Sequence, residues 1–301
     1  MKILHSMDEL VALNQPVHWA MGFFDGVHRG HRRVIESADT PGALRGVLTF
    51  AQHPLAVLAP KKQPKLITPV AEQKQALLEK LGVQVLLELP FTAELAATGP
   101  REFLDALRAA CPMAGISVGR NWHFGKGGAG NAAFVENYAA EHGLHACVQD
   151  MAELNGERIC SSRIRELLVE GNLPLAQEML GHPFSICGVV GHGQKLARKL
   201  GFPTANIVVS SVAVLPPPGV YEVACSINGA SVRGIANLGL RPTIDESLKP
   251  VRLETHLLDW QGELYGCPLL VELRRFLRQE HRFASVDELR AQIAADVQML
   301  Y

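Results

Sequence analysis

The sequence predicts an α/β domain built on a parallel sheet, followed by a small antiparallel β-barrel with a C-terminal helix. Three observations lead there. Strand-like and helix-like segments alternate through the first half, the pattern of a parallel sheet with helices on both faces. After about Gly181 the pattern changes to several short strands with turn residues between them, as in an antiparallel barrel. The 301 residues, 48% hydrophobic and 20% charged, suffice for about two domains with real cores.

Val17 to Phe23 reads as the first strand, followed by a glycine-containing turn and a helix from about His31. Gly46 to Phe50 is a buried strand. Thr68 and Pro69 read as the N-cap and first residue of a helix over Val70 to Leu81. Val83 to Leu89 is a strand, Arg101 to Ala110 a helix, Gly115 to Gly119 a strand and Ala132 to His142 a helix. A short helical stretch, Pro174 to Leu180, lies at the boundary, which falls within residues 172–184 and gives domains 1–180 and 181–301. Phe184 to Val190, Gly219 to Ile227, Ser231 to Leu238, Val251 to Asp259 and Leu269 to Arg275 read as strands. Asn228-Gly229 marks a type I′ hairpin. Ser285 and Glu288 form a capping box for a closing helix to about Leu300.

Composition excludes several classes. The formal net charge of −1 argues against a nucleic-acid backbone as the main partner. The apolar runs, such as Val83 to Leu89, are too short to span a membrane. The N-terminus lacks the pattern of a secretory signal. The six cysteines are scattered without a Cys-x-x-Cys, which predicts reduced thiols in a cytoplasmic protein.

Gly22-Phe23-Phe24-Asp25-Gly26-Val27-His28-Arg29-Gly30-His31 follows the first strand and enters a helix. Gly26 and Gly30 allow a phosphate chain to approach the backbone, and the helix start offers N–H groups and a positive dipole end. His28 and His31 can donate to phosphate oxygens as charge builds on an α-phosphate and a departing pyrophosphate. Thr49 to Pro54, Gly119 to Gly125 with the loop Lys126 to Asn131, and Ile159 to Arg165 also follow strands. Ser161 and Ser162 with Arg165 one turn on form a pyrophosphate cradle. Taken alone, those serines read as plain N-caps and the arginines as solvated.

The second constellation runs from Gly191 through Gly193, Lys195, Arg198 and Gly201-Phe202-Pro203-Thr204-Ala205-Asn206. Glycines and basic residues suit a loop around a triphosphate. Thr204 and Asn206, two apart, share a face if the stretch is extended, and their oxygens suit Mg²⁺. Alternation along Leu253-Glu254-Thr255-His256-Leu257 puts Glu254 and His256 on one face. On strand pattern alone Glu254 is a solvent-facing carboxylate; beside the phosphate loop it is a general base.

These motifs, with Asn237 to Thr243, Glu254 to Asp259 and Leu277-Arg278 through Phe283, follow the order of a known family. The chain resembles the bacterial bifunctional riboflavin kinases/FMN adenylyltransferases (FAD synthetases) over nearly its full length. The resemblance implies a Rossmann-like nucleotidyltransferase domain and a riboflavin kinase barrel. The first would bind ATP through Gly22, Phe24, Asp25, Gly26, His28, Gly30, His31, Ser161, Ser162 and Arg165, and FMN through Asn121, His53 and Phe124. The second would bind Mg-ATP through Gly191, Gly193, Lys195, Arg198, Gly201, Pro203, Thr204 and Asn206. Riboflavin would lie against Glu254, the base for its ribityl hydroxyl, with Arg278 and Phe283. Substrates would be riboflavin, FMN and ATP, with no nucleic acid or membrane partner, in a monomer or transient homo-oligomer. Ala197, Trp122, Cys160 and Leu240 depart from the family's usual Gly, Phe, Ser and polar residue. Three alternatives stand beside this: a flavin kinase with a degenerate first domain, a non-catalytic flavin or nucleotide sensor, and a nucleotidyltransferase for another phosphate ester. Intact His28, His31 and Arg165 oppose the first, Glu254 and Thr204 the second, and the kinase-like second half the third.

Overall fold

The computed structural model describes residues 1–191, 202–240, 251–281 and 283–301. The chain divides into two compact units, Met1–Pro64 with Lys74–Arg163, and Lys65–Gln73 with Ile164–Tyr301.

The first unit contains β1 (Lys2–Leu4), β2 (Val17–Met21), α1 (Arg29–Glu36), β3 (Leu44–Phe50), α2 (Leu55–Leu58) and most of α3 (Ala71–Lys80). After these come β4 (Val85–Leu89), α4 (Ala93–Ala97), α5 (Pro100–Ala110), β5 (Met113–Gly119), α6 (Ala132–His142) and β6 (His145–Gln149). A two-stranded hairpin, β7 (Glu153–Leu154) with β8 (Glu157–Arg158), leads into α7 (Ser161–Glu170). The six-stranded sheet has the order β1-β4-β3-β2-β5-β6, parallel at every pairing. β2 and β4 are buried along their whole length, because helices cover both faces and leave no polar side. Trp19, Leu48, Leu87, Ile116 and Tyr138 belong to one core cluster, and Ala20, Val34, Ile35, Val47 and Leu86 to another. The short β1 and β6 are unmarked in the sequence pattern. The strand expected ahead of Ile159 is the two-residue β8, paired with β7. The helix expected over Val70 to Leu81 is α3, shorter at each end.

The second unit continues with α8 (Leu173–Leu180), β9 (Ser185–Gly191), β10 (Thr204–Val208), β11 (Gly219–Ile227), β12 (Ala230–Leu240), β13 (Val251–Leu257), β14 (Pro268–Arg278) and α9 (Val286–Gln298). The strands form a closed barrel in the order β10-β13-β12-β11-β14-β9, sealed by pairing of β9 with β10. Asn228 and Gly229, with φ of 51° and 80°, make the two-residue turn between β11 and β12, since the right-handed twist of the strands favours positive φ at both positions. β13 stops at Leu257 rather than Asp259, where the chain turns left-handed with φ 53°. Leu253, Thr255 and Leu257 are buried, whereas Glu254 is exposed and His256 is partly so. Ser285 caps α9 by accepting from the Glu288 N–H, and the Glu288 carboxylate accepts from Ala284 rather than from the cap residue. The six cysteines are free thiols.

Candidate active sites

In the first unit the strand order reverses about β2: β3 lies on one side and β5 on the other. Loops leaving the carboxyl ends of such neighbours part and open a crevice. The segments after β2 and β5 meet here in a cleft of about 340 Å³ that includes Gly22, His28, His31, Asn121, Trp122 and Ser161.

The turn after β2 is strained. Phe24 and Val27 have φ of 55° and 41°; a β-branched residue at positive φ is an outlier that surrounding structure must hold in place. His28 is the N-cap of α1, its Nδ1 accepting the His31 N–H at 3.2 Å. A neutral His28 ring therefore carries its proton on Nε2, a donor. The two imidazoles stack with centroids 3.6 Å apart, and Phe24 meets His31 edge-on at 5.2 Å. A methyl on Gly30 would lie 3.2 Å from the His28 ring, so glycine here lets the ring settle against the helix. Ser161 Oγ donates to the Asp25 carbonyl at 3.0 Å, tying the start of α7 to the turn; Asp25 is buried.

Other predicted residues sit elsewhere. Phe124 is in the core, its ring stacked on Trp122 at 4.5 Å and packed against Phe103 and Phe134; of this pair Trp122 lines the cleft. His53 packs edge-on against Phe23 at 4.8 Å and accepts from the Leu55 N–H. Ser162 is exposed, and Arg165 belongs to the second unit. The sequence reading missed Asp150, which lines the cleft together with Cys160, and Lys74, a buried cation against Phe23. Cys160 was marked by its place beside Ser161, whereas Lys74 resembles any polar helix residue.

In the second unit, Asn206, Glu254 and Asn237 form one cross-strand row: Asn206 pairs with Glu254, and Glu254 with Asn237. Residues so opposed lie within ~5.5 Å of one another at Cβ. Thr204, Asn206, Glu254, Arg278 and Phe283 line a cavity of about 240 Å³. Thr204, Asn206 and Pro203 also line a second cavity of about 600 Å³, so β10 borders both spaces. Thr255 Oγ1 and Trp260 Nε1, buried without a partner among the described residues, border the larger one. Gly191 ends β9 opposite Asn206. Gly193, Lys195, Arg198 and Gly201, and Arg241 to Thr243, lie outside the described residues.

Arg278 does not simply face the cavity. Its Nε and Nη2 donate to Asp296 at 2.9 and 2.8 Å, and Gln292 donates to the same carboxylate at 2.9 Å. Asp296 is 1% exposed. This planar two-point pairing fixes the guanidinium against α9. Asn237 Nδ2 donates to Glu280 at 2.6 Å. Asp296 has a sequence signal of its own: it falls on the Leu289–Ile293–Leu300 face of the closing helix, where an acid is out of place without a partner.

Asn206 Nδ2 donates to Thr204 Oγ1 at 3.3 Å, which holds the two side chains next to each other. They are neutral, hard donors, and no cluster of three His, Cys, Asp or Glu among the described residues competes to hold a metal. Such a sparse set fits Mg²⁺, which keeps several waters and takes phosphate oxygens as its other ligands.

Two family models match the chain: FAD synthetase over residues 11–163 and riboflavin kinase over residues 180–300. The bifunctional riboflavin kinase/FMN adenylyltransferase of Bacillus subtilis is 36% identical over 286 residues, 93% of this chain and 90% of the relative. The chain belongs to the bifunctional riboflavin kinase/FMN adenylyltransferase family. The Escherichia coli K12 member is 38% identical over 282 residues, covering 92% of this chain and 89% of the relative. A crystal structure from Streptococcus pneumoniae, described as a macrolide-efflux protein, superposes with a TM-score of 0.84 at 26% identity, covering 99% of this chain and 98% of that one. Among the described residues no helix is long and apolar enough to cross a membrane. Both halves of this riboflavin kinase/FMN adenylyltransferase chain thus have their own family match and their own cavity.

Proposed function

We propose that this chain makes FAD from riboflavin in two ATP-dependent steps. The barrel unit transfers the γ-phosphoryl group of ATP to the ribityl 5′-hydroxyl, giving FMN and ADP. The α/β unit then joins the FMN phosphate to the α-phosphorus of a second ATP, giving FAD and pyrophosphate. By activity the chain divides into 1–180 and 181–301. The observation that carries the reading is the pair of separate sites: stacked His28 and His31 at the switch point of a parallel sheet, and the Asn206–Glu254–Asn237 row on a barrel.

In the barrel, riboflavin occupies the smaller cavity and the nucleotide the larger. Thr204 and Asn206, which border both, sit where the phosphoryl group passes. Glu254 accepts the hydroxyl proton, and Arg278, held by Asp296, and Phe283 face the flavin. Thr204 and Asn206 hold Mg²⁺, which when bound neutralises phosphate charge. Gly191, Gly193, Lys195, Arg198, Gly201 and Pro203 embrace the triphosphate. In the α/β unit, His28, His31, Ser161 and the glycine-containing turn receive the ATP phosphates, with Ser162 and Arg165 from α7. Asn121 and Trp122 receive FMN, with Phe124 stacked behind Trp122 and His53 beside Phe23. The protein works in the cytoplasm as a monomer or transient homo-oligomer on small molecules, without nucleic acid.

The test is direct. Purified protein is incubated with riboflavin and Mg-ATP, and the products are separated by chromatography. FMN and FAD both appear under this reading. FMN alone indicates an inactive first unit, and neither product indicates a sensor. Glu254→Gln is expected to lower FMN formation by ~10²- to 10⁴-fold while supplied FMN still becomes FAD. Loss of both steps together would remove Glu254 from its assigned role.

A further inference from the structure

Beneath the His28/His31 turn lies a charge that no phosphate-contacting motif contains. Lys74, on α3, is 4% exposed. Its Nζ donates to the Phe23 carbonyl at 3.0 Å and stands 4.3 Å from the centroid of the Phe23 ring. The same carbonyl accepts from Thr49 Oγ1 on β3 at 3.0 Å. A buried ammonium without compensation is expensive, and two buried acids supply it: Asp25 in the turn and Glu88 on β4, 2% and 6% exposed, both of which favour the charged form.

The residue after this carbonyl is left-handed Phe24, and three positions further on is strained Val27. The turn's carbonyls are held in sequence: Phe23 by Lys74 and Thr49, Phe24 by the Val27 N–H at 3.2 Å, and Asp25 by Ser161. Strain of this kind persists where neighbours over-determine the backbone. We propose that Lys74 is a positioning residue for adenylyl transfer, fixing the Phe23 carbonyl and through it the backbone that presents His28 and His31. The inference rests on reading this cleft as the adenylyl-transfer site. Lys74 does not touch substrate; it sets the geometry of groups that do, and its positive charge lies below the turn that receives the polyphosphate. Burial lowers its ammonium from 10.5 to about 8, with Glu88 and Asp25 opposing that fall. The geometry thus depends on a charge that is lost in mildly alkaline solution.

The experiment uses the full-length enzyme and measures FMN-to-FAD conversion, with riboflavin phosphorylation in the same preparation as an internal control. Lys74→Met removes the charge and the donor. Its kcat for adenylyl transfer is expected to fall roughly 10- to 100-fold, the scale for small displacements of catalytic groups, with KM for ATP changed less and the kinase step unchanged. Lys74→Arg retains a cation that does not titrate in this range. It should recover part of kcat, and the fall expected in wild-type kcat as Lys74 loses its proton at about pH 8 should be absent from its profile. Should Lys74→Met fail to fold, the Lys74→Arg profile decides alone. The proposal is overturned if Lys74→Met keeps kcat within about twofold of wild type, a change too small for a lost positioning contact, or if Lys74→Arg keeps the same alkaline limb. Wild-type protein unable to convert FMN at all would instead overturn the reading of the cleft.

Discussion

Acid should loosen the α/β unit through one histidine far from the reacting groups. His18, on β2, is 1% exposed. Its Nδ1 lies 2.7 Å from Thr40 Oγ1 and its Nε2 2.9 Å from Ser117 Oγ. Ser117 Oγ lies 3.1 Å from Ser37 Oγ, which donates to the Val34 carbonyl in the last turn of α1. A neutral imidazole satisfies this chain by donating through one nitrogen and accepting through the other. Burial, aided by His145, pulls the ring down from 6.5 to about 4, while the Ile116 backbone and, less strongly, Asp39 work in the opposite sense. The folded value is the lower one, so the unfolded chain takes up the proton first. The stability His18 contributes is complete above about pH 6.5 and drains away as pH falls towards 4. At 1.36 kcal/mol per pH unit, about 2 kcal/mol is lost by pH 5. With ~1–3 kcal/mol per molar urea, this moves the midpoint by about 1 M. The assay is urea unfolding at pH 7 and pH 5, following loss of FMN adenylylation on wild type and His18→Gln. The variant starts from lower stability but should show a smaller drop between the two pH values. Equal drops in both proteins would refute the reasoning.

Two further outcomes follow from contacts at the sites. Gly30→Ala places a methyl 3.2 Å from the His28 ring; FAD formation should slow roughly tenfold, the effect of ~1.4 kcal/mol at the barrier, with FMN formation untouched, as steady-state assays of the two steps will register. Asp296→Asn removes the acceptor pair that orients Arg278; KM for riboflavin should rise about tenfold, equivalent to ~1.4 kcal/mol of binding, while KM for ATP in the kinase step stays near its wild-type value.

Much of this architecture was legible because local chemistry and the fold agree. The run of buried residues before Gly22, the glycine turn and the helix after it could only be a strand–loop–helix unit. Alternation from Leu253 to Leu257 separated the barrel interior from the face that bears Glu254, although strand pattern alone left open what Glu254 meets. What stayed hidden depends on contacts distant in sequence. Lys74 is one lysine among the polar residues of α3 until Phe23, Glu88 and Asp25 are brought round it. Phe124 and Trp122 are two residues apart and both aromatic, and only the packing of Phe103 and Phe134 determines which ring is withdrawn into the core. The association of Lys65–Gln73 with the second unit has the same origin. Leu66 pairs with Val212 and Val214 through backbone hydrogen bonds, and Gln73 donates to Ser185, pairings that no local pattern announces.

On the sealed barrel a single strand serves the core and both cavities at once. Along β13 the lining alternates: Glu254 and His256 border the smaller cavity, Thr255 and Leu257 the larger, and Leu253 is buried. A substitution at Leu253 is therefore expected to act on the barrel's stability alone, whereas one at His256 changes the lining of the smaller cavity.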